Sequence, residues 1–233
     1  MRESSSFARF QRYFSSSVGT KLLIGITGLL LFVYMLLHLA GNALIFAGQD
    51  TFNEYSHQLI SNPLIVPIEL GLLAIFLLHV YKTVTMYLGN QQARPSAYKM
   101  KKSQGRPSRK TFASSTMIFS GLWLLIFVIM HVRAFKYGLD YEAANGVRDL
   151  YRVEMETFRS PLTVTFYVLS MLVVGSHLWH GGSSTFQSLG LDHPRWTPRI
   201  LAVTKLLAAI IAGGFIVIVL WAHLGQFTGQ VGR

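Results

Sequence analysis

Five long apolar runs set the pattern of the chain, and each is long enough to cross a membrane as a helix. They cover residues 22–46, 64–88, 112–135, 162–186 and 200–224. About 20 apolar residues span the hydrocarbon core of a bilayer. Few charges interrupt the runs, and Glu69, Lys82 and Lys205 lie near run ends, where side chains can reach the interface. The pattern predicts an all-α integral membrane bundle of five transmembrane helices.

The segments around these runs divide the chain into three parts. We expect an N-terminal arm at residues 1–21, a transmembrane domain at 22–224 and a C-terminal tail at 225–233. The first run is too long for the apolar core of a cleaved signal peptide, so we expect it to be retained. Aromatic and basic residues alternate in the arm, which is typical of an interfacial helix or a partner-binding segment. The 133–159 connection is long enough for a short outer helix, and no internal repeat is apparent.

Composition agrees with a membrane protein and narrows the possible chemistry. Of the 233 residues, 51% are hydrophobic and only 13% are charged, about half the charged share of a soluble domain. The chain has no cysteine, which excludes disulfides, cysteine-ligated zinc, an iron–sulfur cluster of its own and haem attachment through cysteine. Metal chemistry must therefore rest on the eight histidines.

The net charge of +11 is unevenly distributed between the two ends of the predicted helices. Most Lys and Arg residues lie in the arm, the 94–110 loop and the loop before the fifth run. Cytoplasmic loops carry such an excess, so we expect a cytoplasmic-membrane protein with the N-terminus inside and the C-terminus outside. The positive-inside rule explains the excess of Lys and Arg, so the positive net charge does not require a nucleic-acid-binding function. The basic loop could also contact anionic lipid or an acidic soluble partner.

Four histidines lie within the first four runs, one in each, at two depths. His38 and His131 fall in an outer layer, roughly 25 Å or more from the cytoplasmic edge of a bilayer core about 30 Å thick. His79 and His177 fall in an inner layer, roughly 24 Å from the outer edge. We call His38 and His131 the outer pair, and His79 and His177 the inner pair.

Two histidines at each depth, from alternate helices, form the arrangement that would hold two haems. A neutral imidazole is a common haem ligand, and bundle cores hold cofactors between facing helices. We therefore expect four of the five helices to enclose two haems, each held by one pair. Small residues in these runs could let a haem approach or could serve helix packing; they are Gly28, Gly41, Gly71, Gly121, Gly175 and Gly181.

Other residues compete for these roles. Gly181, one turn after His177, is the best candidate for haem clearance. His180 lies one turn from His177 and is the rival ligand on that helix, or a partner for a haem propionate, a quinone or a proton path. His57 and His193 lie in predicted loops, where a solvated role is more common.

Short motifs around the histidines make the chain similar to a known family. They are HLAGN at His38, FNEYSH downstream of it, FLLHVY at His79, IMHVRAF at His131 and SHLWHGGSSTFQSLGL at His177. In this order and spacing, the sequence resembles the cytochrome b membrane anchor of succinate dehydrogenases and fumarate reductases, of the single-chain, five-helix, di-haem type. The resemblance spans nearly the whole chain.

The resemblance implies two haem b groups, with the outer pair binding the distal haem and the inner pair the proximal one. It also implies two cytoplasmic partners: a flavoprotein subunit that interconverts succinate and fumarate, and an iron–sulfur subunit that passes electrons to the proximal haem. The anchor would deliver the electrons to quinone, with menaquinone the expected species, near the distal haem. Nothing in the chain resembles a flavin or nicotinamide fingerprint, so we expect no succinate chemistry of its own.

The predicted quinone site rests on polar residues near the outer layer. Asn42, His57 and Glu69 are the candidates, although each could be solvated or structural. Glu69 is the first choice because a carboxylate at the membrane edge can take a quinol proton. Some di-haem relatives carry a glutamate of a proton path two residues before the fourth ligand. Gly175 stands at that position here, so we do not expect this path.

Several other functions fit parts of the pattern. The closest is a di-haem anchor of another oxidoreductase, such as a hydrogenase or formate dehydrogenase. A membrane di-iron oxidase would need clustered histidine boxes, whereas these histidines are dispersed. An intramembrane serine protease would need a serine paired with a histidine, for which Ser120 and Ser176 lie in no convincing motif. A haem-free proton-coupled transporter could use the same histidines as a relay.

Overall fold

The computed structural model describes residues 12–93 and 116–225, and seven α-helices lie complete within these ranges. In chain order they are α1 (Ser17–Asn42), α2 (Gln49–Ile60), α3 (Ile65–Gln92), α4 (Met117–Phe135), α5 (Leu150–Thr157), α6 (Pro161–Ser188) and α7 (Thr197–Gly225). Helices α1, α3, α4, α6 and α7 are long and apolar enough to cross a membrane. The prediction of an all-α protein with five membrane-length helices is confirmed, and no strand is assigned within the described ranges.

The helix boundaries follow local capping signals as well as hydropathy. Helix α1 begins before the predicted run, because Ser16 accepts a hydrogen bond from the backbone N–H of Gly19 at 3.1 Å and caps the first turn. A short 3₁₀ helix, Ala43–Ala47, extends α1 to the end of that run. Helix α6 begins with Pro161 in its first turn. Proline is tolerated there because the first N–H groups of a helix have no partner within the helix.

Some predicted segments lie outside the described residues. They are residues 1–11 of the arm, the 94–110 loop, residues 112–115 of the third run and residues 226–233 of the tail. Helix α5 supplies the short helix expected in the 133–159 connection. Helix α2 was not predicted.

Helix α6 is the centre of the bundle. Helices α1, α4 and α7 pack against it, and it buries Tyr167, Met171 and Val174 among them. The missing side chain of Gly175 permits the closest approach to α7, since a Cβ there would lie 3.0 Å from the Cβ of Ala212. Helix α3 packs mainly on α1, touches α4 only lightly and buries none of its residues.

Helices α2 and α5 pack together at one end of the bundle around the buried carboxylate of Asp149. Asp149 accepts hydrogen bonds from the side-chain amides of Gln49 at 2.7 Å and Asn53 at 2.8 Å. It also caps α5 by accepting from the backbone N–H of Arg152 at 3.0 Å. The Asn53 amide oxygen accepts from the N–H of Tyr151 at 2.9 Å. This network ties the two short helices to each other.

A second carboxyl, that of Glu154 on α5, is buried at the same end with 6% of its surface exposed. Burial raises the pKa of Glu154 to about 8, because a charged carboxylate would lose its hydration there. Glu154 is therefore mostly protonated at neutral pH.

We expect Glu154→Gln to flatten the pH dependence of stability. The folded protein holds a proton that the unfolded chain, with an ordinary pKa of 4.5, releases. The stabilisation is therefore full below about pH 4.5 and is lost as the pH rises to about 8. Within that window the slope is about 1.4 kcal/mol per pH unit. Thermal midpoints in detergent should thus fall with rising pH more steeply for the wild type than for Glu154→Gln.

The matched control for this prediction is Glu54→Gln, which changes an exposed carboxylate on α2. Its pH profile should follow that of the wild type. Parallel profiles for the wild type and Glu154→Gln would contradict the assignment of a raised pKa to this carboxyl.

Candidate functional site

The two histidines of the outer pair meet across the bundle. His38 projects from α1 and His131 from α4. Their ring centres are 5.8 Å apart and their planes are nearly perpendicular, at 88°. Residues far apart in sequence therefore place two imidazoles face to edge inside a membrane-length bundle.

Aromatic rings surround the outer pair. Tyr34 stacks on His38 at 5.4 Å, and Phe215 of α7 lies 5.5 Å from the same ring. Phe127 and Phe135 lie 5.6 and 5.1 Å from His131. Packed rings of this kind hold the imidazoles in position and form an apolar wall for a flat ligand.

The polar contacts of the outer pair are long. The Nδ1 atom of His131 lies 3.4 Å from the hydroxyl of Tyr167, and that of His38 lies 3.4 Å from the amide nitrogen of Asn42. Good N–H···O hydrogen bonds are about 2.7–3.2 Å long, so neither contact is strong. Asn42 makes its shorter bond, 2.8 Å, to the backbone carbonyl of His38.

The inner pair has short hydrogen bonds to hydroxyl groups of neighbouring helices. The Nδ1 atom of His79 on α3 lies 3.0 Å from the hydroxyl oxygen of Thr27 on α1. The Nδ1 atom of His177 on α6 lies 2.9 Å from the hydroxyl oxygen of Ser120 on α4. The two imidazoles are also close enough to interact electrostatically. Each histidine of this pair is therefore held by a helix other than its own.

Each of these hydroxyls also lies near a backbone carbonyl of its own helix. The hydroxyl oxygen of Thr27 is 2.7 Å from the carbonyl oxygen of Leu23, and that of Ser120 is 3.0 Å from the carbonyl oxygen of Met117. A hydroxyl has one proton to donate, so one that donates to its carbonyl can accept only from an imidazole Nδ1–H. A histidine in that tautomer has a lone pair at Nε2, which is the form that binds a metal.

Glycines allow the inner rings to approach the helices closely. A Cβ at Gly28 would lie 3.2 Å from Cε1 of His79, and one at Gly121 would lie 3.7 Å from Cε1 of His177. At Gly181, the predicted clearance residue, the nearest atom to a Cβ would be Cε of Met117 at 4.0 Å. The space beside Gly181 is thus more open than the space beside Gly28.

The residues present fit the chemistry of haem binding. Haem would take imidazole ligands from the protein, and the chain brings two imidazoles together at the outer pair, with ring centres 5.8 Å apart. At the inner pair, His79 and His177 each have their Nδ1 atom at a hydroxyl, so Nε2 is the ring nitrogen that would bind the iron. The described ranges contain no group of three or more His, Asp or Glu side chains that could hold a metal ion.

His180, the predicted rival ligand, lies on α6 near enough to His177 for an electrostatic interaction. Its ring is partly exposed. Among the residues that the structure describes, none makes a contact to the His180 ring like that of Ser120 with His177.

The predicted quinone residues are not brought together as a set. Glu69 forms an ion pair with Lys136 at the end of α4, and it interacts electrostatically with Tyr34, which stacks on His38. Asn42 contacts His38 instead, and the exposed His57 lies 3.4 Å from the hydroxyl of Ser61. The sequence reasoning missed Lys136 and Tyr34, which connect Glu69 to the outer pair.

Thr27 and Ser120 were also missed as site residues, although a shared spacing marks them. Thr27-Gly28-Leu and Ser120-Gly121-Leu each precede a histidine of the outer pair by the same interval, about three helical turns. Helices α1 and α4 therefore have the same arrangement. Each carries a hydroxyl that contacts a histidine of the inner pair and, further along, a histidine of the outer pair.

The Ser120–His177 contact also bears on the alternative functions. A serine nucleophile needs a histidine partner, and Ser120 has one in His177, whose Nδ1 atom lies 2.9 Å from its hydroxyl oxygen. Thr27 makes the same contact with His79, which indicates one shared supporting role.

Comparison of the chain with protein-family models, curated proteins and solved structures finds no match.

We expect Gly28→Val to disturb the inner pair and Gly71→Val to be tolerated. Both substitutions put the same β-branched residue in a membrane-length helix, so their helix propensities match. A Cβ at Gly28 is crowded by His79, whereas one at Gly71 meets nothing within 4 Å. Overpacking of this kind lowers stability by about 1–3 kcal/mol. Thermal midpoints in detergent measure the difference, and equal midpoints for the two variants would contradict the close approach at Gly28.

Proposed function

We propose that the chain is the cytochrome b membrane anchor of a succinate:quinone oxidoreductase, of the succinate dehydrogenase and fumarate reductase type. It would carry electrons through two b haems between an iron–sulfur subunit and membrane quinone. One observation carries this proposal: His38 and His131, from separate helices, bring their rings to 5.8 Å within an aromatic enclosure. The family resemblance of the motifs around the four histidines supports it.

In this proposal the four histidines would hold the haems, His38 and His131 the outer one, and His79 and His177 the inner one. A bound b haem would supply a one-electron carrier. The chain contributes the imidazoles, contacts the inner pair through the hydroxyls of Thr27 and Ser120, and packs aromatic rings around the outer pair.

The orientation follows from the charge distribution. The basic arm and the 94–110 loop face the cytoplasm, so α2 and α5 cap the outer end of the bundle. The flavoprotein and iron–sulfur subunits would then dock at the cytoplasmic end, nearer to the inner pair. The protein would lie in the cytoplasmic membrane, and its soluble partners would perform the succinate or fumarate chemistry.

Glu69 and Lys136 are the residues proposed to serve the quinone at the outer end. The carboxylate of Glu69 can accept a proton from a quinol, and Lys136 forms an ion pair with it. Tyr34 interacts electrostatically with Glu69 and stacks on His38. Menaquinone is the proposed substrate.

Purified wild-type protein should contain two b haems per chain, and the histidine variants should lose them pairwise. We expect His38→Ala and His131→Ala to lose one haem, and His79→Ala and His177→Ala to lose the other, because each ring is one of two axial ligands. Reduced-minus-oxidised optical spectra with haem quantified per polypeptide measure this. His193→Ala, which changes a loop histidine, should retain both haems.

Protein produced with a full haem supply but without bound haem would overturn the proposal and favour the proton-coupled transporter. Loss of both haems from His193→Ala would show that haem content reports folding rather than ligation. Co-purification of a flavoprotein and an iron–sulfur subunit, rather than hydrogenase or formate dehydrogenase subunits, distinguishes the proposed complex from other di-haem anchors.

Glu69→Gln should slow quinone turnover without loss of haem. A proton acceptor at a reacting group contributes about 100-fold or more, so we expect a decrease of that order in the rate of the purified complex with a soluble menaquinone analogue. Glu142→Gln, an exposed carboxylate of the α4–α5 connection, is the matched control. An unchanged rate in Glu69→Gln with intact haem spectra would exclude Glu69 from the quinone site.

A further inference from the structure

The two histidine pairs differ in what their Nδ1 atoms meet. At the inner pair the partners are aliphatic hydroxyl oxygens at 3.0 and 2.9 Å. At the outer pair the partners are a phenol and an amide nitrogen, both at 3.4 Å. The same ligand type thus has a short hydrogen bond at one depth and a long contact at the other.

The inner hydroxyls also contact the backbone of their own helices. Thr27 is buried, and its hydroxyl oxygen lies 2.7 Å from the carbonyl oxygen of Leu23. The hydroxyl oxygen of Ser120 lies 3.0 Å from the carbonyl oxygen of Met117 and 2.9 Å from Nδ1 of His177. Each hydroxyl is followed by a glycine that leaves room for the ring, Gly28 and Gly121. A hydroxyl that donates to its backbone carbonyl presents its oxygen to the imidazole as an acceptor.

An acceptor at Nδ1–H has a chemical consequence at the other ring nitrogen. It draws the Nδ1 proton away from the ring and makes Nε2 more basic. A more basic axial ligand stabilises the oxidised, more positively charged iron, so second-shell hydrogen bonding is one of the means by which a protein adjusts haem potential.

We propose that Thr27 and Ser120 are positioning residues that hold His79 and His177 in the Nδ1–H tautomer and lower the reduction potential of the inner haem. The proposal rests on the proposed function, because it concerns a haem bound by these two histidines. It assigns to α1 and α4, which carry the outer ligands, a second role at the inner site.

Ser120→Ala and Thr27→Val test the proposal by redox titration of the purified protein, followed optically. Each should raise the potential of the inner haem and leave that of the outer haem unchanged. We expect about a tenfold change in the reduction equilibrium, which corresponds to ~59 mV for one electron. The backbone carbonyl of Ile24 is a further hydrogen-bond partner of His79, so Ser120→Ala should give the larger shift.

Matched controls separate this effect from general damage. Thr83 and Ser183 donate to backbone carbonyls of their own helices, those of His79 and Trp179. Thr83→Val and Ser183→Ala should leave both potentials unchanged. Thr27→Ser keeps the hydroxyl and should restore the wild-type potential. Unchanged inner potentials in both Ser120→Ala and Thr27→Val, with two haems bound, would overturn the proposal.

A readout without haem distinguishes failure of this proposal from failure of the proposed function. In haem-free protein labelled with ¹⁵N-histidine, nuclear magnetic resonance should show His177 protonated at Nδ1 in the wild type. In Ser120→Ala it should show a mixture of tautomers. A single Nδ1–H tautomer in the variant would overturn the proposal, even if the wild type bound no haem.

Discussion

A polar side chain in hydrocarbon must find its hydrogen-bond partner within the protein, since no water is available. This constraint decides how the four membrane histidines are arranged. Each lies on a helix face turned toward another helix, and each meets a ring or a hydroxyl there. The bundle accordingly depends on contacts between α1, α4 and α6 at two levels, with α3 added against α1. Residues that face the lipid can vary, but moving a histidine from one level to the other would leave its imidazole without these contacts.

The five spans could be predicted from the sequence because hydropathy is a local property. Hydropathy over about 20 residues identifies a span, and the rise per residue gives the depth of a histidine. Helix α2 could not be recognised in this way. It is short and largely polar, and it is held by Asp149, which lies far along the chain. Only tertiary contact brings the two together.

Thr27 and Ser120 escaped prediction for another reason. A hydroxyl in an apolar helix usually bonds to the preceding turn of its own backbone, and both do so. Their second contact, to a histidine on another helix, depends on how the helices are rotated against each other. The shared spacing to His38 and His131 was visible in the sequence. Its role can be recognised only from the structure, in which α1 and α4 each contact a histidine of the inner pair.

The use of α1 and α4 at both levels has a consequence for assembly. A turn or slip of α1 that moved His38 out of line would move Thr27 away from His79 in the same step, because both side chains belong to one rigid helix. The same holds for α4 with His131 and Ser120. In the proposed di-haem protein, occupancy of one level would therefore order the helices that complete the other. Loading of the two levels would be thermodynamically linked, and each would favour the other through helix alignment rather than through direct contact.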